Sequence, residues 1–392
     1  MNITIAIDSL KGSLSSLEAG HAIEEGIRRV YKDAAVNVRP LADGGEGTVE
    51  ALACGMGGTL ETVTVTGPMG RPVDCQYGIL PESGTAIIEM SGAAGITLVP
   101  DAEKDPMKAT TFGVGQVIRS AIQKGCRRFI VGIGGSATND GGTGMLQALG
   151  YGILDRDGNQ IPPGAQGLAQ IASISSEHVL PELSECTFRI ACDVNNPLCG
   201  PRGASAVYGP QKGADEAMVQ VMDRGLAHFA EIAGKWNPKA DPEFPGTGAA
   251  GGLGFAFLTF TSAVLESGIQ IVLEETRLRE YVKDADLVIT GEGRLDGQTV
   301  MGKAPVGVAR IAKEFHKPVL AFSGSVTREA AACNDAGIDA FSRFSAPSSP
   351  WRRPWIQKTP EKIWPTQPSR YSVWSRRCGP GRLSKTVFSC FF

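Results

Sequence analysis

The 392-residue chain reads as an α/β protein of two α/β domains, a discontinuous doubly wound parallel sheet with a mixed-sheet domain inserted into it. Three observations predict this. Apolar strand-length runs alternate with amphipathic helical stretches toward both ends of the chain. Past residue 58 the texture turns to β-branched alternation broken by tight turns. Polar, glycine-rich segments follow the predicted strands, where open α/β sheets bind ligands.

Asn2 to Ile7 is the first strand. Ser13 opens a helix reaching Tyr31, with Leu14, Leu17, Ala22, Ile23 and Ile27 near helical spacing. Val36 to Leu41 is a second strand, and Thr48 to Cys54 begins another helix. Leu60 to Thr66, Val73 to Leu80 and Thr85 to Met90 read as antiparallel runs, the first two joined at Gly67-Pro68-Met69-Gly70. Helix Phe112 to Lys124, strand Arg128 to Ile133, helix Thr143 to Leu149 and strand Thr187 to Cys192 follow. A long helix spans about Asp215 to Lys235, and an apolar one runs from Gly248 through Thr259. The βαβ pattern returns near residue 268, with strand Ala285 to Thr290, helix Ala304 to Phe315, strand Pro318 to Ser323 and a last run, Ile338 to Phe344. Residues 1–58 and 270–345 are therefore expected to form one Rossmann/flavodoxin-like domain, and residues 59–269 the insertion.

Residues 346–392 break the pattern. They hold four of the five tryptophans, and from Trp351 onward nine Lys/Arg stand against Glu361 alone. No helical or strand period survives. We read this stretch as an unselected, aberrant tail, such as follows a change of reading frame after about Ser345, and expect it to be largely disordered. A basic aromatic arm for nucleic acid or membrane is the other reading.

A net charge of −3 gives no pointer to nucleic acid or an anionic membrane. No apolar run is long enough to cross a bilayer. Met1 to Lys11 lacks the basic start of a signal peptide, so a cytoplasmic location is expected. Nine cysteines without CxxC pairs, and four scattered histidines, give no zinc pattern and read as buried thiols.

The densest signal is Gly132 to Gly144, six glycines in thirteen residues after an apolar strand. Such density fits close approach of backbone N–H groups to an anion, with Ser136, Thr138, Asn139 and Asp140 among them. A loop of tight turns is the plain alternative. Four more strand-end segments are polar: Asp8-Ser9-Leu10-Lys11, Ala42 to Gly47, Asp193 to Pro197, and Thr290 to Thr299. Standard nucleotide fingerprints fail. Gly297 to Lys303 has Ala304 where a P-loop needs Ser/Thr, and Gly132-x-Gly134-x-x-Ala137 is followed by a poor helix start. Phosphoryl transfer to an alcohol needs acids for Mg²⁺ and the hydroxyl, and cations for the phosphates. Asp43, Glu46, Asp140, Asp193, Glu292 and Asp296 offer the acids; Lys11, Arg71, Arg294 and Lys303 offer the cations.

At these residues the chain resembles the class I glycerate kinases (bacterial glycerate 2-kinases). The likeness rests on Ile7 to Lys11, Ala42 to Thr48, Gly132 to Gly142, Cys192 to Leu198, Gly248 to Gly252 and Thr290 to Thr299, and runs from Met1 to about Phe344. Family members continue with helical sequence where this chain has its Trp/Arg/Pro stretch. The resemblance implies two α/β domains, one inserted in the other, and ATP-dependent phosphorylation of D-glycerate, mostly to 2-phosphoglycerate. Within that reading Asp193, at a strand end before a rigid Asn-Asn-Pro turn, orients the substrate hydroxyl, with Lys11 and Arg71 as further catalytic groups toward the glycerate carboxylate or the moving phosphoryl group. Gly134, Gly135, Ser136, Thr138, Asn139, Asp140, Glu292 and Gly293 are expected at the nucleotide. Asp8, Ser9, Asp43, Gly44 and Asn196 are expected at the substrate. Asp43, Glu46 and Glu292 are expected to order Mg²⁺. A nicotinamide oxidoreductase using Gly132 to Ala137, and a non-catalytic remnant, are the competing readings.

Overall fold

The computed structural model describes residues 1–344 except Lys11 and Glu46, so the roles given to those two residues and the expectation for 346–392 lie outside the described residues. The chain opens with β1 (Asn2–Ile7), α1 (Ser16–Val30), β2 (Ala35–Pro40) and α2 (Thr48–Gly55). Then come β3 (Thr59–Thr66), β4 (Pro72–Leu80), β5 (Thr85–Glu89), the short α3 (Ser91–Ala94), α4 (Phe112–Gln123) and β6 (Arg128–Gly132). Next are α5 (Thr143–Ala148), β7 (Gly152–Leu154), β8 (Ser173–Ser175), β9 (Thr187–Ala191), α6 (Ala204–Tyr208) and α7 (Glu216–Trp236). The chain continues through α8 (Ala249–Phe260), β10 (Ala263–Glu266), α9 (Gly268–Glu275), α10 (Leu278–Lys283) and β11 (Leu287–Leu295). It ends in α11 (Ala304–Glu314), β12 (Val319–Val326), α12 (Ala332–Asp335) and β13 (Ala340–Arg343).

These elements form two compact units, one of Met1–Leu41 with the described residues from Arg277 to Phe344, the other Ala42–Thr276. In the first unit a five-stranded sheet runs β13-β12-β11-β1-β2, every pair parallel. The order turns back on itself at β1/β11, the doubly wound arrangement. Ser15 caps α1: its hydroxyl accepts from the Glu18 N–H at 3.3 Å, and the Glu18 carboxylate accepts from the Ser15 N–H at 2.8 Å. This capping box starts the helix three residues after the Ser13 that sequence favours. Ala19, Ile23 and Ile27 then share the buried face over Ile3, Ile5 and Ile7.

β11 is longer than expected, and its far half carries the motif read as a loop. Its pairing with β1 ends at Gly291, but Glu292, Arg294 and Leu295 still pair with Ser323, Ser325 and Val326 of β12. The backbone of Glu292 and Gly293 is thus held in a strand.

In the second unit a six-stranded sheet runs β10-β9-β6-β5-β4-β3, antiparallel at β3/β4/β5 and parallel from β5 to β10. α2, placed by sequence with the first domain, packs on β3, β4 and β5 here. Phe129 and Phe188 stack at 4.7 Å between ring centres at the middle of this core, with Phe255 and Phe257 of α8 fully buried alongside. α8 departs from the simple helix expected from Gly248: Ala250, Gly251 and Gly252 are left-handed, and regular helix begins only after them.

Candidate active site

Two polar clusters stand at strand carboxyl ends in the second unit, and one stands in the first. The Asp43 turn opens the second unit. A Cβ on Gly44, at φ +86°, would fall 2.7 Å from the Gly268 Cα and 2.8 Å from the Ala191 Cβ, so only glycine lets this turn lie across the end of β9 and the start of α9. Asp193, just past β9, meets the same place: its Oδ1 accepts from the Gly268 N–H at 3.2 Å, and Ser267 bonds the same carboxylate. Asp193 keeps a solvent-exposed face. Burial holds its carboxyl above the ordinary Asp value and the nearby charge of Asp43 pushes the same way, against the two hydrogen bonds.

The loop after β6 has an exposed part and a buried part. Gly134 and Gly135 are exposed; Ser136 through Asp140 are buried. Beneath the exposed elbow lies Lys212, itself only 3% exposed, whose ammonium donates to Ser136 Oγ at 2.8 Å and to the Thr138 carbonyl at 2.6 Å. Burial brings its pKa down to about 7, with Asp140 pulling it upward. Asn139 Nδ2 donates to Ser205 Oγ at 2.9 Å, while Thr138 Oγ1 and Asn139 Oδ1 are buried without a hydrogen-bond partner.

Asp140 departs from its expected place at a nucleotide. It is fully buried, and its carboxylate accepts from the N–H and hydroxyl of Thr111 at 2.8 and 2.9 Å and from the N–H groups of Gly142 and Gly144 at 3.0 and 3.3 Å. It ties the loop to the start of α4. Burial raises its pKa despite those bonds. The left-handed run opening α8 packs beneath: a Cβ on Gly251 would meet the Thr138 carbonyl at 2.1 Å, and the Gly141 N–H donates to the Gly251 carbonyl at 2.9 Å.

In the first unit Asp8 follows β1, its N–H donating to the Gly291 carbonyl at 2.9 Å and its Oδ1 accepting from the Ser9 N–H at 2.7 Å. Glu292, 8% exposed, is one residue along β11. Its Oε1 accepts from the Thr299 hydroxyl at 2.6 Å, and Lys303 Nζ stands 3.8 Å from Oε2 and 3.9 Å from Asp296. The β11 extension thus gathers two acids and a cation at one sheet edge.

The parallel-edge clusters fit a phosphoryl-transfer enzyme, and comparison with known proteins decides the family. The model of the glycerate kinase family matches residues 3–362. The glycerate kinase of Bacillus subtilis (strain 168) is 49% identical over 340 residues, 87% of this chain and 89% of the relative. This chain belongs to the glycerate kinase family. It is therefore a kinase, a phosphotransferase. The glycerate 2-kinase of Escherichia coli (strain K12) is 47% identical over the same shares of the two chains. A crystal structure described as glycerate kinase 2 from Salmonella typhimurium LT2 has a TM-score of 0.82 at 46% identity, covering 88% of this chain and 90% of that one.

Against that membership the expected site residues sort by unit. Asp43, Gly44, Asp193 and the Gly134–Ser136 elbow lie at one sheet edge of the second unit; Asp8, Ser9, Glu292 and Gly293 lie at one sheet edge of the first. Two expected residues are engaged elsewhere. Arg71, in the β3–β4 turn, is highly exposed and pairs with Glu103 at 2.9 Å. Asn196 is clamped internally, donating to the Arg202 carbonyl at 2.8 Å and accepting from the Tyr208 hydroxyl at 2.6 Å. Among the described residues no group of three His, Cys, Asp or Glu is gathered for a metal. Lys212, Ser205 and Ser267 were not singled out in the sequence, where each looks like an ordinary turn or helix residue.

Proposed function

We propose that this chain transfers the terminal phosphoryl group of ATP to a hydroxyl of D-glycerate, with 2-phosphoglycerate as the favoured product. The observation that carries this reading is the 47% identity with a glycerate 2-kinase, of which the alignment covers 89%. The geometry supports the chemistry. Asp193 joins an exposed face to a carboxyl held above the ordinary Asp value, which suits a base that takes the proton of the attacking hydroxyl. As the hydroxyl oxygen bonds to the terminal phosphorus, the bond to the bridging oxygen breaks and ADP departs. The exposed Gly134–Gly135 backbone and Ser136 are proposed for phosphate oxygens, and Lys11 for the glycerate carboxylate.

Asp43 fits Mg²⁺. Asp43 lies near enough to Asp193 for their charges to interact, and Mg²⁺ takes only one or two protein carboxylates beside water and phosphate. When bound, the ion offsets phosphate charge. Glu292, bonded to Thr299 and facing Lys303, is proposed to meet the nucleotide at this edge of the first unit. The described free cysteines, with the Cys75 and Cys199 thiols pushed up to about 12 by burial, fit the proposed reducing cytoplasm. Among the described residues no helix is long and apolar enough to cross a membrane.

The test is Asp193→Asn. With the fold intact by circular dichroism, kcat should fall by about 10²–10⁴ while the KM for ATP changes little. Near-normal kcat at saturating glycerate would remove Asp193 from the chemistry. A thermal shift with MgATP and none with NAD(H) separates the kinase from a nicotinamide enzyme.

A further inference from the structure

A lysine buried away from any carboxylate is costly, because burial strips the ammonium of water and only a close counter-ion restores the loss. Lys212 is such a residue. It is 3% exposed, and among the described residues no carboxylate lies within ion-pair distance of it. Its acceptors are a hydroxyl and a carbonyl, Ser136 Oγ and Thr138 O. Asp140 is the charged group that acts on it, and that carboxylate is already shared among Thr111, Gly142 and Gly144. A methionine would fill similar space with no unpaired charge. The protein keeps a cation directly behind the exposed Gly134–Gly135 elbow, with Ser136 as the link between them.

We propose that Lys212 is a positioning residue for nucleotide phosphate: it pins Ser136 and the Thr138 carbonyl, so fixing where the elbow presents its N–H groups, and its uncompensated charge favours an anion at that elbow. This rests on the reading that the 134–136 elbow receives phosphate. A phosphate at the surface then completes electrostatically what Asp140 leaves unfinished beneath it. Two neighbouring buried atoms, Thr138 Oγ1 and Asn139 Oδ1, have no hydrogen-bond partner within the protein. The lowered pKa of Lys212, about 7, adds a readout: the charged form fades as pH rises through neutrality.

The experiment compares the full-length wild type with Lys212→Met, Lys212→Gln and Gly134→Asp. Methionine removes charge and tether; glutamine keeps a donor without the charge. Both should raise the KM for MgATP by about tenfold or more and leave the KM for glycerate within about twofold. The rise should be greater for methionine than for glutamine, since only methionine frees Ser136. A merely structural lysine would instead move both KM values together, or neither, and that result overturns the proposal. Gly134→Asp probes the underlying reading, because a Cβ at Gly134 meets nothing within 4 Å. If it leaves MgATP binding intact, phosphate does not sit at the elbow. If it abolishes binding while the Lys212 variants behave as wild type, only the role of Lys212 fails. Should the Lys212 variants not fold, wild-type affinity for MgATP between about pH 6 and about pH 9 decides the matter. Affinity should fall as pH rises through about 7; a flat profile overturns the proposal.

Discussion

Replacing Asp140 with alanine should damage the fold of the second unit far more than any direct contact with nucleotide. The substitution strands three buried backbone N–H groups, those of Thr111, Gly142 and Gly144, and takes the acceptor from the Thr111 hydroxyl. Each stranded buried donor costs about 1–3 kcal/mol. The hydroxyl can turn, and its own bond from the Met145 N–H at 3.0 Å survives. Losing a buried carboxylate, whose pKa burial already raises, returns part of that cost. The net is about 3–5 kcal/mol, the range for breaking a buried charged network. For a domain of this size that is a fall in Tm of about 6–20 °C. Differential scanning calorimetry on wild type and Asp140→Ala, with the second unit's transition followed, measures it. A loss below about 2 °C together with abolished nucleotide binding would refute the reasoning and return Asp140 to the ligand.

Two further outcomes follow from the same geometry. Gly251→Ala forces a side chain at φ +69° to within 2.1 Å of the Thr138 carbonyl, and should cost about 2–4 kcal/mol in urea unfolding; a cost below about 0.5 kcal/mol contradicts the packing described. The acid limb of kcat should be centred above the ordinary Asp value, activity rising with pH as the Asp193 carboxyl loses its proton. An acid limb centred at or below the ordinary Asp value would mean that Asp193 is not the titrating group.

Much of the architecture was legible because it follows from periodicity. Arg128 to Gly132 and Thr187 to Ala191 are short apolar runs between turns, and α1 and α7 carry apolar residues at helical spacing. The strand-end position of Asp8, Asp43 and Asp193 followed from the apolar runs that end at Ile7, Leu41 and Cys192. Glu292 was placed correctly in a cluster but on the wrong kind of backbone. The glycines at 291 and 293 look like a loop, and only the continuing register with β12 shows a strand. Asp140 and Lys212 were misread or missed for one reason: sequence shows a residue's chemistry but not its burial. Asp140 looks like a ligand among glycines, and Lys212, in Pro-Gln-Lys-Gly, looks like a solvated turn. Its partners Ser136 and Thr138 lie 76 and 74 residues away, and no local pattern reports contacts at that separation.

Phosphorus NMR of the full chain incubated with MgATP and D-glycerate tests the central claim most directly. The account predicts ADP and the resonance of a secondary phosphate ester, 2-phosphoglycerate, appearing together and only when glycerate is present. ATP left unconsumed by a folded chain, or consumed equally without glycerate, would contradict it.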